Sequence, residues 1–255
     1  MTSKIRHYID IATVLLQKDL KVRYKSTLFG YLWSVGHPLA FALVFFIAFK
    51  VVMKIQIDNY ALFLIAGLFP WQWLSNSMNA SPTIFLANWT IIKKINFPRN
   101  MLPFTLVLQD MVHYILSIPV IVLFLYIYRK TPSLNWLYGV PLLLVMQFSM
   151  VYGLSLIISS INLFFRDLER LTTIGLTLLF YFTPVIYPET MIPDRFKPLL
   201  TLNPFAHLIV NWRNLLLDGT IQPILFGINF AYSLLILWGG YMIYRKLCWR
   251  FAEVL

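Results

Sequence analysis

Asp110 and His113 stand one helical turn apart inside the apolar run LVLQDMVHY. An ionisable residue within a membrane segment is a functional candidate by default, so the pair could relay a proton. A structural pairing role competes with that reading. Asp110 lies about two turns from the cytoplasmic end of its span, within reach of interfacial water or an arginine. Little else in the chain can do covalent chemistry. There is no GxxxxGK[ST] phosphate loop, no HExxH and no CxxC. The single cysteine, Cys248, rules out an internal disulfide framework and a multi-cysteine metal site. The acids are scattered, whereas a hydrolytic centre needs titratable groups paired in one pocket. No catalytic residue and no metal ligand is assigned.

Two other groups of side chains have a chemistry to offer. The first is the stretch NWTIIKKINFPRNMLP, residues 88–103, which carries Lys93, Lys94 and Arg99 and no acid. Asn88 can cap a short helix there, Trp89 with Ile91 and Ile92 supplies an apolar side, and Pro98 stops it. Such a helix suits the docking of an energy-supplying partner on the cytoplasmic face. A basic loop that merely sets topology has the same composition. The second group is aromatic: Phe41, Phe45 and Phe49 at i, i+4 spacing, and Phe180, Tyr181 and Phe182 further on. Rings of this kind can line a sugar path, because the C–H side of a pyranose stacks on a ring while its hydroxyls hydrogen-bond at the edge. Ordinary packing against helices or lipid also accounts for them. Trp33, Trp71, Trp73, Trp136 and Tyr187 fall near span ends and are expected in interfacial aromatic belts.

The elements that carry these residues follow from composition and periodicity. Of 255 residues, 59% are hydrophobic and only 12% charged, against about a quarter in a soluble domain. Mean hydropathy is +0.72 and net charge +11, a balance that fits a membrane protein with basic cytoplasmic loops rather than a nucleic-acid binder. The first residues lack the continuous apolar core of a secretory signal. Expected is one all-α integral membrane domain over 1–255. Residues 1–27 form an amphipathic interfacial helix, with Ile5, Tyr8, Ile9, Ala12, Leu15, Leu16 and Leu20 on its apolar face. Six spans are expected at about 28–52, 60–86, 102–128, 136–164, 171–186 and 224–244, against the roughly 20 residues a bilayer requires. The polar middle of the second, WQWLSNSMNAS, should face other helices or water. Gly153, Ser155, Ser159 and Ser160 give the fourth a small-residue face for close packing. Residues 188–219 read as an outer-face re-entrant segment, in which Asn203 caps a helix that starts at Pro204. Basic residues are twice as frequent on the side that bears both termini, which places the termini in the cytoplasm.

Several strings together resemble the permease subunit of type-2 ABC exporters, in their O-antigen polysaccharide branch. These are KDLKVRYKSTLFGYLWSVGHPL (18–39), INFPRNMLP (95–103), INLFFRDLERL (161–171), FTPVIYP (182–188) and LNPFAHLIVNWRNLLLDG (202–219). The resemblance runs along the whole chain. It implies a homodimer in the bacterial inner membrane, bound to two copies of a nucleotide-binding ATPase. This chain then needs no cofactor, since ATP and Mg belong to the partner. Trp89, Ile91, Ile92, Lys93 and Lys94 in loop 88–100 would form the coupling helix, with Arg166, Asp167 and Arg170 beside it. The cargo would be a polysaccharide on polyprenyl pyrophosphate, with Lys21, Arg23 and Lys25 receiving the pyrophosphate. The stretch from Pro184 to Asp218 would gate the outer exit. Export of teichoic acid, capsule or a drug is the nearest alternative. A proton-coupled transporter using Asp110 and His113, or a membrane enzyme on lipid-linked sugars, represents a different class.

Overall fold

The computed structural model describes residues 2–24, 32–54, 56–94 and 97–251. Within them every regular element is helical. Helix α1 (Thr2–Tyr24) precedes α2 (Trp33–Phe45), which runs on as a π-helix over Phe46–Val52. Helix α3 (Tyr60–Ala80) leads through a turn into the short α4 (Ile84–Ala87) and α5 (Trp89–Lys94). Two long helices follow, α6 (Met101–Ile127) and α7 (Trp136–Asn162), and then α8 (Leu168–Phe182). Two 3-10 turns (Glu189–Met191, Asp194–Phe196) and α9 (Lys197–Leu202) lead to α10 (Pro204–Arg213). That helix continues as a π-helix over Asn214–Asp218, and α11 (Pro223–Leu247) closes the order.

Among the described residues, four helical stretches are long and apolar enough to cross a membrane: Val35–Val52, Met101–Ile127, Trp136–Asn162 and Pro223–Arg250. They leave large apolar side chains on the outside, among them Leu123, Val145, Leu235 and Trp238. Patches of that kind suit lipid rather than water. Helix α3 is long enough but polar in its second half, and α8 has only 15 residues. The expected second span therefore ends at Ala80. A turn at residues 81–83 separates it from α4, as Pro82 foreshadows.

Helix α3 lies at the centre. Leu62, Leu64, Ile65, Leu68 and Leu74 are at most 1% exposed and pack with Trp212, Leu208 and Ile209 of α10 in one large core. Here the structure corrects the aromatic-belt expectation. Trp71 and Trp73 are core residues, 4% and 2% exposed. The Trp73 indole N–H donates to the Val107 carbonyl at 3.2 Å, and its ring stacks on Tyr114. A buried indole needs such a partner, and α6 supplies it. Polar links also tie α3 to α7. Gln147 donates to the Pro70 carbonyl and accepts from the Trp212 indole at 2.6 Å, while the Ser81 and Ser155 hydroxyls pair at 2.7 Å.

The small-residue face of α7 does what its composition suggests. Gly153 meets Gly240 of α11 so closely that a Cβ at Gly153 would sit 2.5 Å from the Ile236 carbonyl oxygen. A second core lies at the other end of the bundle. It joins Leu15 of α1, Phe85 of α4, Met101 and Leu102 of α6, Leu156 and Leu163 of α7, Tyr244 of α11 and Phe251.

Candidate functional site

Helix α5 is a six-residue turn with both lysines in its last turn. Trp89 is 47% exposed, Lys93 and Lys94 are exposed, and Ile91 and Ile92 are half-buried. Ile92 packs against the second core. The Lys93 ammonium lies 4.7 Å from the Trp89 ring centroid, which holds the exposed indole against its own helix. One expectation fails here: the side chain of Asn88 does not cap α5. Its amide donates to the Ile84 carbonyl, and its oxygen accepts from the Lys18 ammonium of α1 at 3.0 Å. Only the Asn88 backbone carbonyl serves α5, accepting from the N–H groups of Ile91 and Ile92. A charged donor 70 positions away thus outcompetes the local cap.

Arg166, Asp167 and Arg170 are exposed around the start of α8, so these charges face outward from the bundle. Phe251 connects this turn to the rest of the second core. Its ring lies 5.0 Å from that of Phe85 and 6.4 Å from that of Phe164. Arg99 donates to the Cys248 carbonyl at 3.2 Å and lies 6.0 Å from the Phe251 ring. Sequence reasoning missed Phe251, which no local periodicity marks out.

Five of the six aromatics expected on a path form one ladder. Phe41, Phe45 and Phe49 follow one another along α2 and its π-helical continuation with centroids 6.2 and 6.1 Å apart. Phe45 lies 5.5 Å from Phe180 of α8, and Phe180 lies 5.3 Å from Tyr181. Trp71 joins at 5.5 Å from Phe180. Phe182 ends α8 and is 64% exposed. Of the expected pyrophosphate residues, Lys21 is exposed on α1 and Arg23 belongs to its last turn, while Lys25 lies outside the described residues.

The segment between α8 and α11 is pinned from within. Asn203 accepts from the N–H groups of Phe205 and Ala206, capping α10, and donates to the Thr183 hydroxyl at 3.0 Å. Arg213 is buried, yet donates to the Pro184 and Val185 carbonyls at 2.8 and 2.7 Å and stacks 3.6 Å from the Phe63 ring. Tyr60 donates to the next carbonyl, that of Ile186. Gly67 leaves room for the guanidinium, since a Cβ there would sit 2.5 Å from its Nη2. Gly219, at φ +64°, ends the π-helical turn and its carbonyl accepts from Asn135 at 2.6 Å. Further out, the Lys197 ammonium pairs with Asp194 at 2.6 Å and holds that carboxyl below its usual range.

Asp110 is 3% exposed and accepts from the Ser77 hydroxyl of α3 at 2.8 Å. It borders a cavity of about 640 Å³ between α1, α3, α4 and α6. His113 is buried one turn further along α6.

Residues 12–217 match the ABC-2 type transporter family. Over its full 255 residues the chain is 46% identical to the O-antigen export system permease protein RfbA of Klebsiella pneumoniae, covering 98% of that protein. A protein of the same name from Myxococcus xanthus is 28% identical over 99% of this chain and 98% of its own. The polysialic acid transport protein KpsM of Escherichia coli is 23% identical over 91% of each.

Proposed function

Because the chain belongs to the ABC-2 type transporter family, we propose that it is the transmembrane subunit of an ATP-driven exporter of O antigen. The observation that carries this is the end-to-end likeness to an O-antigen export permease at 46% identity. The cargo on this reading is a polysaccharide held on polyprenyl pyrophosphate. The subunit sits in the bacterial inner membrane as a homodimer with two copies of a separate ATPase. Helices α2, α3, α6, α7, α8 and α11 are its six spans. Helix α1 lies in the cytoplasmic interface, both termini are cytoplasmic, and residues 188–219 form the outer re-entrant segment.

The inner end supplies a lever. Helix α5 offers an exposed aromatic ring and two exposed lysines to a partner, one of them stacked on that ring. Behind it, Asn88 is latched to α1, and Phe85 is packed on Phe251. A push on α5 is therefore delivered to α1, α4 and the end of α11 together. The ladder from Phe41 to Tyr181 supports a sugar path, since ring faces at about 6 Å spacing let a polymer slide without a deep subsite. Lys21, Arg23 and Lys25 would receive the pyrophosphate, and the stretch pinned by Arg213 would gate the exit.

The test is affinity purification from the native membrane, with the eluate assayed for ATP hydrolysis. A second chain bearing a phosphate loop should co-elute, and should be lost when Lys93 and Ile91 are replaced by Glu. A chain that elutes alone and without ATPase activity would overturn the reading.

A further inference from the structure

The cavity behind the coupling helix has a lining that the exporter reading does not use. Asn76 and Asn79 of α3, Asn88, Gln109 and Asp110 of α6, and Lys18 of α1 supply its polar groups. Its volume of about 640 Å³ falls within the roughly 300–1,000 Å³ of ligand pockets. Four of the six polar residues are carboxamides, each able both to donate and to accept. Gln109 is only 6% exposed, and among the described residues its amide has no hydrogen-bond partner. The same is true of the Asn76 amide, which stands exposed at the mouth. Buried polar groups are normally hydrogen-bonded, and the Gln109 side chain borders the cavity, so a ligand there would meet an amide with donor and acceptor to spare.

The charge balance indicates what kind of partner. Lys18 and Asp110 cancel, and Lys18 already donates to Asn88. A pyrophosphate needs a surplus of cations, and among the described residues this cavity has none. No aromatic ring lines it among the described residues, so stacking is not its means of recognition. Neutral groups that each donate and accept at short range remain, and sugar hydroxyls have that property.

We propose that this cavity is a binding subsite for the neutral saccharide portion of the cargo, read by the amides of Asn76 and Gln109. The proposal rests on the export reading above. It places a sugar against Asn88, the residue that joins α4 to α5, and so next to the segment assigned to the ATPase.

The experiment uses the native complex in lipid nanodiscs. The probe is the glycan from the same cells, freed of its lipid pyrophosphate by mild acid, and the readout is a calorimetric binding isotherm. Saturable binding is expected, weakened about tenfold by Gln109→Leu and by Asn76→Leu, and unchanged by millimolar inorganic pyrophosphate. Asn76 is exposed, so its replacement leaves folding intact even where Gln109→Leu does not. No binding by the unaltered complex, equal binding by Asn76→Leu, or displacement by pyrophosphate would each overturn the proposal. The export reading is tested separately by deleting the chain and scoring surface glycan. Loss of surface glycan together with a flat isotherm would remove the subsite and leave the exporter standing.

Discussion

Gly239 and Gly240 are neighbours in α11 that should respond in opposite ways to the same added methyl group. Gly240 faces α7, where a Cβ would sit 2.7 Å from the Gly153 carbonyl carbon and 2.8 Å from its Cα. Ordinary contact begins at 3.4 Å, so the carbonyl carbon alone forces the helices apart by about 0.7 Å. The atoms met are backbone and cannot rotate away. A gap of that size forfeits roughly a quarter to a half of each dispersion well along the seam. The Cβ would fall closer still to the Gly153 carbonyl oxygen, so the overpacking cost lies at the upper end of its usual range, about 2–3 kcal/mol. Against it stands the helix preference of Ala over Gly, about 1 kcal/mol. Gly239 meets nothing within 4 Å, so only the favourable term acts there. Gly240→Ala should therefore lose about 1–2 kcal/mol net, and Gly239→Ala should lose nothing. At about 2–4 °C per kcal/mol for a chain of this size, melting of the detergent-solubilised protein, followed by size-exclusion fluorescence, should drop by about 2–8 °C for Gly240→Ala alone. Equal melting of the two variants would refute the close approach of α7 and α11.

Three further outcomes follow from the same geometry. Asn203→Ala removes the cap of α10 and the bond to Thr183, and should cost about 1 kcal/mol, read as a lower melting temperature with membrane insertion unchanged. Arg213→Lys keeps the charge but loses the planar fork that spans the Pro184 and Val185 carbonyls; a loss of about 1.5–3 kcal/mol should appear in the same assay, along with faster proteolysis of residues 184–202. Asp110→Asn retains an acceptor for the Ser77 hydroxyl, so surface glycan should stay near its normal level, and abolished export would instead revive the proton relay.

The parts of the fold that were legible in the sequence are those decided within one or two turns of chain. Asn203 followed by Pro204 starts α10 because cap and first helical position are adjacent. The i, i+4 spacing of Phe41, Phe45 and Phe49 reads directly as one face of α2. What was not legible depends on which helices meet. Trp71 and Trp73 have the amphipathic character of belt residues, and only the Val107 carbonyl and the Tyr114 and Phe180 rings make them core. Asn88 looks like a cap until Lys18 arrives from α1. Phe45 and Phe180 are 5.5 Å apart because α2 and α8 both lie against α3 and its neighbours, which no local pattern encodes. The polar middle of α3 was half read. Ser77 turns to Asp110 as a buried hydroxyl must, whereas Asn76 and Asn79 face the cavity.

Helix α3 also explains how events at one end can matter at the other. In its first half Tyr60 and Gly67 belong to the group that holds the 184–186 backbone through Arg213. In its middle Trp73 and Ser77 are bonded to α6. Past its C-terminal end Ser81 is bonded to α7, and Pro82 accepts from Asn162 of the same helix. Every polar side chain in this series bonds to a partner on another element, so α3 cannot slide along its axis without breaking several buried bonds at about 1 kcal/mol each or more. A close-packed core of this kind shifts as a body rather than deforming smoothly. A force applied at α5 would reach α4 through Asn88 and then the turn at residues 81–83; from there α3 leads to Tyr60 and Phe63 at the Arg213 staple, alongside α7, whose Gln147 accepts from Trp212 of α10. Under the export reading, loosening that staple should uncouple the outer segment from the ATPase end while leaving the inner end assembled.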